Sequence, residues 1–302
     1  MAVISTGNHP KALWPGIHEF WGRAYAKHPD EYTKLFEMTT SDKQYEEDVE
    51  VTGFGLAPKK EEGMSVMYDS EVQGFITRYI HVAYALGYIV THEELEDNLY
   101  EVVSKRRAEA LAFSMRQTKE IVAANVYNRA FDTTYPIGDA AALLSLLHPT
   151  TSGNQANKLT VAADISEAAL EDMTVLIMQM TNDKGLRIAG TPESVIVPPT
   201  LWYEANRILK SDQQYDTANN AVNVLKANKV FPGGVVLNHF LTADSAWFVR
   251  TNVPHGMTGF QRAALKFEMD NDFDTMNAKA KAYERYSFGC TDWRGLFGSA
   301  GA

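Results

Sequence analysis

The sequence predicts an α+β fold, because strand-like and helical patterns occupy separate blocks of the chain and do not alternate regularly. Residues 46–90 have strand periodicity, residues 91–132 carry one long helical pattern, and residues 263–302 return to strand-like alternation. The 302 residues are 45% apolar and include 14 Phe, 14 Tyr and 5 Trp. Such a composition can bury a core, so it excludes a disordered chain.

The net charge and the cysteine content exclude several classes of function and of binding site. The chain has 28 Lys and Arg against 38 Asp and Glu, a formal net charge of −10, which argues against broad coating of nucleic acid. Cys290 is the one cysteine, so neither an internal disulfide nor a multi-cysteine zinc site is possible. Its apolar surroundings predict a buried thiol without a catalytic role. We expect a soluble protein without a secretory signal or membrane helix.

The first 45 residues are rich in aromatic side chains. A short amphipathic helix is predicted between Pro15 and His28, where apolar residues recur at helical spacing. We expect the arm to bury its aromatic side chains against a neighbouring subunit, Trp14, Phe20 and Trp21 among them.

Residues 46–90 predict a long β-hairpin with a charged tip. Asp48–Phe54 alternates apolar and polar residues, and Met64–Tyr68 resumes the alternation after a polar turn. The turn carries Lys59, Lys60, Glu61 and Glu62. Phe75–Val90 is β-branched and aromatic, and predicts one further strand.

A long helix is predicted to begin at Thr91, because Thr91 and Glu94 have the spacing of a capping box. Apolar residues then recur at helical spacing to about Phe131 without Gly or Pro. At 1.5 Å per residue, such a helix is about 60 Å long, which suits a thin, wide subunit.

The remaining residues predict a compact α+β unit followed by two long strands. A helix over residues 166–182 is expected to stop at Gly185, and another is expected over 201–210. Short strands are predicted at residues 186–189, 194–197, 221–225, 234–237 and 246–250. Residues 265–269 and 278–286 are predicted to return beside the early hairpin.

Local motifs for catalysis or cofactor binding are absent from the sequence. No phosphate loop, dinucleotide fingerprint, serine nucleophile elbow or HExxH motif occurs. Asp270–Asp274 begins like a calcium loop, but Thr275 replaces the required Gly and Lys281 the bidentate Glu. We therefore predict no catalytic, cofactor or metal residues, no enzymatic activity, and structural roles for three histidines: His92, His239 and His255.

Several short segments, in order along nearly the whole chain, resemble the major capsid proteins of tailed bacteriophages, nearest to the Mu-like major head subunit group. The segments are Met67–Asp69, Gly74–Tyr79, Gly87–Thr91, Glu96–Asn98, Asn128–Asp132, Val195–Pro199, Ala246–Val249, Tyr283–Gly289 and Asp292–Gly295. The resemblance implies the Hong Kong 97-type fold. Its parts are an N-terminal arm (1–45), an E-loop with flanking strands (46–90), a peripheral domain (91–184) with a spine helix (91–132), an axial domain (185–262) and a return to the peripheral domain (263–302).

The same resemblance implies a subunit that self-assembles into hexamers and pentamers of an icosahedral head around double-stranded DNA. It places the E-loop tip, Lys59–Glu62, and the arm, with Trp14, Phe20 and Trp21, at contacts between subunits. Portal, scaffolding or decoration proteins are the expected partners, with assembly in the host bacterial cytoplasm and the virion as the final location. Two alternatives stay open: an encapsulin-like compartment shell and an α+β enzyme with a dispersed active site.

Overall fold

The computed structural model describes residues 21, 25, 29–93, 100–213, 221–272 and 274–302, and only the backbone of residues 100–105. The predicted helix between Pro15 and His28, together with Trp14 and Phe20, lies outside the described residues. Trp21 and Tyr25 are described, and both are helical.

The described residues form helices and strands that we number in chain order. The helices are α1 (Tyr32–Leu35), α2 (Tyr100–Asn128), α3 (Glu167–Gln179), α4 (Trp202–Lys210) and α5 (Val224–Ala227). The strands are β1 (Glu37–Thr40), β2 (Tyr45–Val51), β3 (Gln73–Ile80), β4 (Val82–Val90), β5 (His148–Thr150), β6 (Gly153–Gln155), β7 (Pro192–Val197), β8 (Gly234–Leu237), β9 (Trp247–Thr251), β10 (Met257–Asn271), β11 (Ala278–Cys290) and β12 (Leu296–Ser299).

The long helix α2 packs on a four-stranded sheet with the order β1-β10-β11-β4. Along β11, Ala278, Ala280 and Ala282 are buried, whereas the intervening Lys279 and Lys281 are exposed. Small side chains on the buried face let the helix approach the strands closely. Of the two returning strands, β11 therefore pairs with β4. Strand β4 belongs to the predicted strand Phe75–Val90 and not to the hairpin beside which the return was predicted.

A second four-stranded sheet, with the order β12-β9-β7-β8, carries α3 and α4 on a separate apolar core. The Ser166 hydroxyl caps α3 by accepting the Ala169 amide at 3.2 Å. The helix ends at Gln179, because Met180 is extended. The prediction that Gly185 stops this helix is wrong, since Gly185 lies in a later turn with a φ of 82°.

Four strand predictions are also wrong. Met64–Tyr68 forms no strand, and the partner of β2 is β3. Phe75–Val90 is two strands interrupted at His81. Residues 186–189 contribute only an isolated bridge between Arg187 and Thr181, and residues 221–225 run into α5, where the Asn223 side chain caps the helix.

The helix predicted from Thr91 is described from Tyr100 to Asn128, and residues 94–99 lie outside the described residues. It ends four residues before the predicted limit at 132, where turns replace it. Residues from α1, α2, both sheets and the chain end share one buried cluster, which includes Phe36, Tyr127, Phe248 and Leu296. The two sheets are therefore joined by a continuous core.

Candidate functional site: an outward apolar ribbon and its loop

Strands β2 and β3 form a two-stranded antiparallel ribbon whose apolar face points to solvent. Residues alternate strictly in exposure along β2, with the odd-numbered positions outward. The outward face carries apolar side chains that are 40–65% exposed: Tyr45, Val49, Val51, Ile76 and Ile80. Between them lies one exposed ion pair, Glu47 with Arg78. Such a ribbon has no core of its own, so it depends on contacts with other surfaces.

The opposite face of the ribbon is polar and lies against the body of the subunit. Asp48 lies 3.5 Å from the His255 ring. The Tyr79 side chain is buried, and its hydroxyl lies 2.6 Å from the Thr291 hydroxyl. Burial raises the pKa of Tyr79 above its usual range. The ribbon is thus amphipathic, with its polar side inward.

Arg294 is the main anchor of this inner face, and its side chain is only 3% exposed. Its guanidinium donates to Glu50 of the ribbon at 2.9 Å, to Asp183 at 2.8 Å and to Asp292 at 3.3 Å. The Thr181 carbonyl accepts a fourth bond, at 2.9 Å. Burial raises the pKa of both Glu50 and Asp292. A buried guanidinium with these acceptors holds the ribbon in one orientation.

Residues 52–72 connect the two strands as a long loop without a strand. Its apolar side chains are 57–95% exposed: Phe54, Leu56, Met64, Val66, Met67, Tyr68 and Val72. The predicted tip residues, Lys59 to Glu62, are also exposed. The ends of the loop meet where the Val72 amide donates to the Thr52 hydroxyl at 3.0 Å.

One contact ties this loop to the body. Lys184, which follows α3, donates to the Ser70 carbonyl at 3.2 Å and lies 3.7 Å from Asp69. Hydrogen bonds from the Gly55 and Ser70 amides hold the pKa of Asp69 below its usual range. The base of the loop is therefore organised, while its apolar side chains stay uncovered.

Of the three aromatic residues predicted at contacts between subunits, Trp14, Phe20 and Trp21, the structure describes Trp21. It is 7% exposed and stacks on Phe267 of β10, with ring centroids 5.1 Å apart. Tyr25 stacks on its other side at 5.6 Å. Trp21 thus packs on the sheet of its own subunit and anchors this part of the arm there.

Two buried pairs of polar side chains have contacts that favour structural roles. Lys119 of α2 and Glu284 of β11 form a buried ion pair at 2.5 Å. The buried His148 ring lies 2.6 Å from Asp139 and stacks on Trp293. Sequence reasoning missed both pairs, because their partners are distant or lie in loops. Cys290 is buried as predicted, and burial raises its pKa well above the usual value.

Across the described ranges, no three histidine, cysteine, aspartate or glutamate side chains converge to hold a metal ion. None of the helices described is long and apolar enough to cross a membrane.

Comparisons with known proteins identify the family and the fold of this chain. The family model described as phage capsid protein matches residues 76–298. Among solved structures, the virus-like particle from Pyrococcus furiosus is similar with a TM-score of 0.53 and 13% identity, over 94% of this chain and 97% of that one. The capsid of the native GTA particle has a TM-score of 0.56 and 9% identity, over 90% of each chain.

A structure from Mycobacterium phage Patience is similar with a TM-score of 0.51 and 11% identity, over 98% of this chain and 88% of that one. No curated protein matches the sequence. The structural likeness confirms the Hong Kong 97-type α+β fold, and the family model covers most of the chain. The chain therefore belongs to the phage capsid protein family and is a structural protein of the bacteriophage head.

Proposed function

We propose that this chain is the subunit that builds the head by self-assembling into hexamers and pentamers, and that the closed shell encloses double-stranded phage DNA. The observation that carries the proposal is the ribbon of β2 and β3, whose apolar face is exposed while its polar face is held by the subunit. A folded chain that exposes such a face is completed when other copies cover it.

In this proposal, the ribbon and loop of one copy are covered by a different surface of the neighbouring copy. Contacts between two different patches are heterologous, and when their rotation closes they generate rings. Rings of five and six equivalent copies are the units that a closed icosahedral shell requires. A heterologous contact of this kind therefore builds a shell and not a two-fold dimer.

The proposal assigns each part of the chain a place. Residues 1–45 act as an arm and 46–90 as the E-loop, with the tip at Lys59–Glu62. The spine helix and residues 91–184 belong to the peripheral domain, residues 185–262 to an axial domain around the ring centres, and residues 263–302 to the return. Trp14 and Phe20 are proposed contacts between subunits, whereas Trp21 anchors the arm on its own subunit.

The charge of the subunit supports enclosure of DNA without adhesion to it. A net charge of −10 repels polyphosphate at long range, so packaged DNA stays free to move within the shell. The proposed partners are a portal, and decoration or separate scaffolding proteins. Assembly is proposed in the host cytoplasm, and the virion is the final location.

A compartment shell that holds a protein cargo is the second candidate. This candidate is supported by the similarity to the virus-like particle from Pyrococcus furiosus, which extends over nearly the full length of both chains. The two candidates share the same assembly surface and differ only in what the shell contains.

Expression of the full chain followed by negative-stain microscopy and light scattering tests the proposal. We expect closed particles of uniform diameter. A species no larger than a dimer overturns the proposal and favours an enzyme with a dispersed site. Particles isolated from an induced host, treated with nuclease outside and then opened, distinguish the contents: protected double-stranded DNA supports the phage head, and a protein cargo supports the compartment.

A further inference from the structure

His81 occupies the junction between the ribbon and the main sheet. It is the single residue between β3, which ends at Ile80, and β4, which begins at Val82. It is buried, with an exposure of 4%. Both strands of the ribbon start from this place, because Tyr45 at the beginning of β2 pairs with Ile80. A contact made by His81 therefore acts at the base of the ribbon.

The hydrogen bonds of Ser41 determine which ring nitrogen of His81 carries a proton. The Ser41 hydroxyl donates its one hydrogen to the Glu46 carboxylate at 2.7 Å, and it accepts a bond from the Lys43 amide at 3.2 Å. Its oxygen also lies 3.2 Å from Nε2 of His81. Because the hydrogen of Ser41 is already engaged by the carboxylate, Nε2 of His81 is the donor in this contact.

The other ring nitrogen is matched to a neutral imidazole. Nδ1 of His81 lies 2.9 Å from the Ser287 hydroxyl of β11, which can donate to it. A neutral ring with its hydrogen on Nε2 thus forms both bonds, one to the segment before β2 and one to the sheet. The His81 carbonyl accepts a further bond from Nε of Arg285 at 3.1 Å. One residue therefore connects the base of the ribbon to β11.

The surroundings of the His81 ring disfavour a positive charge. Burial and the positive charges of Arg285 on β11 and Arg262 on β10 hold the pKa of His81 below its usual range. Glu46 of β2 acts in the opposite direction. The neutral form that the hydrogen bonds require is thus also the form that the nearby charges favour.

The carboxylate of Glu46 is committed to other partners. It accepts from the Lys43 ammonium at 2.9 Å and from Ser41. The Phe260 ring of β10 also packs against the His81 ring, edge to face, with centroids 6.2 Å apart. A charged His81 ring would therefore compete with Lys43 for Glu46.

We propose that His81 is a proton-sensitive hinge: its neutral ring fixes the ribbon to the sheet, and its protonation on mild acidification loosens this attachment. In the charged ring Nδ1 becomes a donor, so the Ser287 hydroxyl can no longer donate to it. The new charge also faces two arginines in a buried site. The ribbon then opens more often, while the rest of the subunit keeps its fold. The inference concerns the unassembled subunit and does not depend on the proposed shell.

Hydrogen–deuterium exchange followed by mass spectrometry tests the inference. Peptides from β2 and β3 are compared with peptides from α3 in the unassembled full chain, after correction for the intrinsic effect of pH on exchange. The opened ribbon binds the proton that the closed form resists. We therefore expect the protection of the ribbon to fall by up to about tenfold per pH unit below about pH 6.5, and the protection of α3 to stay constant. An equal fall in both elements means global destabilisation and overturns the hinge.

His81→Gln and His255→Gln are the matched variants. Gln does not titrate, and its amide can donate to Ser41, so the ribbon of His81→Gln should keep the same protection as the pH falls. The His255 side chain is 74% exposed and lies 3.5 Å from Asp48 of the ribbon, so His255→Gln should keep the pH response of the parent. A pH response that persists in His81→Gln, or disappears in His255→Gln, overturns the inference.

A second pair of variants retains His81 and provides the test if His81→Gln fails to fold. Arg285→Gln removes one of the two opposing charges, so the protection of the ribbon should begin to fall at a higher pH than in Arg285→Lys, which retains the charge. The same pH response in both variants overturns the electrostatic control of His81.

Discussion

Arg294 donates a 2.9 Å hydrogen bond to Glu50 and thereby joins the outward ribbon to the turn that precedes the last strand. The two residues are 244 positions apart, and the guanidinium also holds Asp183. The orientation of the ribbon, which is the proposed assembly element, thus depends on one buried charge in the body of the subunit.

Arg294→Ala is expected to lower the free energy of unfolding of the unassembled subunit by about 3–5 kcal/mol, because buried carboxylates lose their cation. Denaturant unfolding measures the change. Arg187→Ala is the matched control, since Arg187 is exposed, and it should stay within about 0.5 kcal/mol of the parent. Equal stability of Arg294→Ala and the parent would contradict the anchoring role.

The sequence predicted the ribbon of β2 and β3 only in part. The alternation at Asp48–Phe54 indicated a strand with two unlike faces, which holds for residues 48–51 of β2, whereas residues 52–54 lie in the loop. The charged tip at Lys59–Glu62 is exposed. The second strand was misplaced at Met64–Tyr68, where alternation exists without a partner. Pairing was decided instead by long-range docking, because Tyr79 is buried against the body and fixes β3 as the partner.

No local sequence pattern predicted the cluster of charged residues around Arg294. Glu50, Asp183, Asp292 and Arg294 come from three distant segments, and each is an ordinary charged residue in its own sequence context. Only the fold brings them together and removes water from around them. The buried ion pair between α2 and β11 was missed for the same reason.

Replacing one partner of the buried Lys119–Glu284 ion pair should lower the stability of the subunit more than replacing both partners. Lys119 and Glu284 are 2% and 1% exposed, and the second carboxylate oxygen of Glu284 has no hydrogen-bond partner among the described residues. Lys119→Met leaves a buried carboxylate without a cation, so we expect a loss of about 3–5 kcal/mol.

The double variant Lys119→Met with Glu284→Leu should recover most of that loss, since it removes the unpaired charge and keeps apolar volume. A double-mutant cycle from denaturant unfolding provides the measurement. A double variant as unstable as Lys119→Met alone would show that packing, and not the unpaired charge, explains the loss.

Two glutamates on the inner face of β2 should affect the pH dependence of stability in opposite directions. Burial raises the pKa of Glu50, so its stabilising contribution is complete below its unfolded pKa and is lost as the pH rises through the folded value. Hydrogen bonds from Lys43 and Ser41 lower the pKa of Glu46, so its contribution is lost as the pH falls.

Unfolding of parent, Glu50→Gln and Glu46→Gln subunits between about pH 4 and about pH 7 measures this difference. The stability of the parent relative to Glu50→Gln should decrease with rising pH, whereas its stability relative to Glu46→Gln should increase. Slopes of the same sign for both variants would contradict the assigned environments.

The outward face of the ribbon should be needed for assembly and dispensable for folding. Ile76 is 48% exposed and lies opposite Val49, which is 40% exposed, so Ile76→Lys places a charge in solvent within an isolated subunit. We expect its unfolding free energy to stay within about 0.5 kcal/mol of the parent.

In an assembled shell, the charge of Ile76→Lys is buried without a partner, which costs several kcal/mol per contact. Light scattering should therefore show subunits or small oligomers, while the conservative variant Ile76→Val still forms particles. Normal particles from Ile76→Lys would mean that this face stays in solvent after assembly, and the ribbon would then lose its role as the assembly surface.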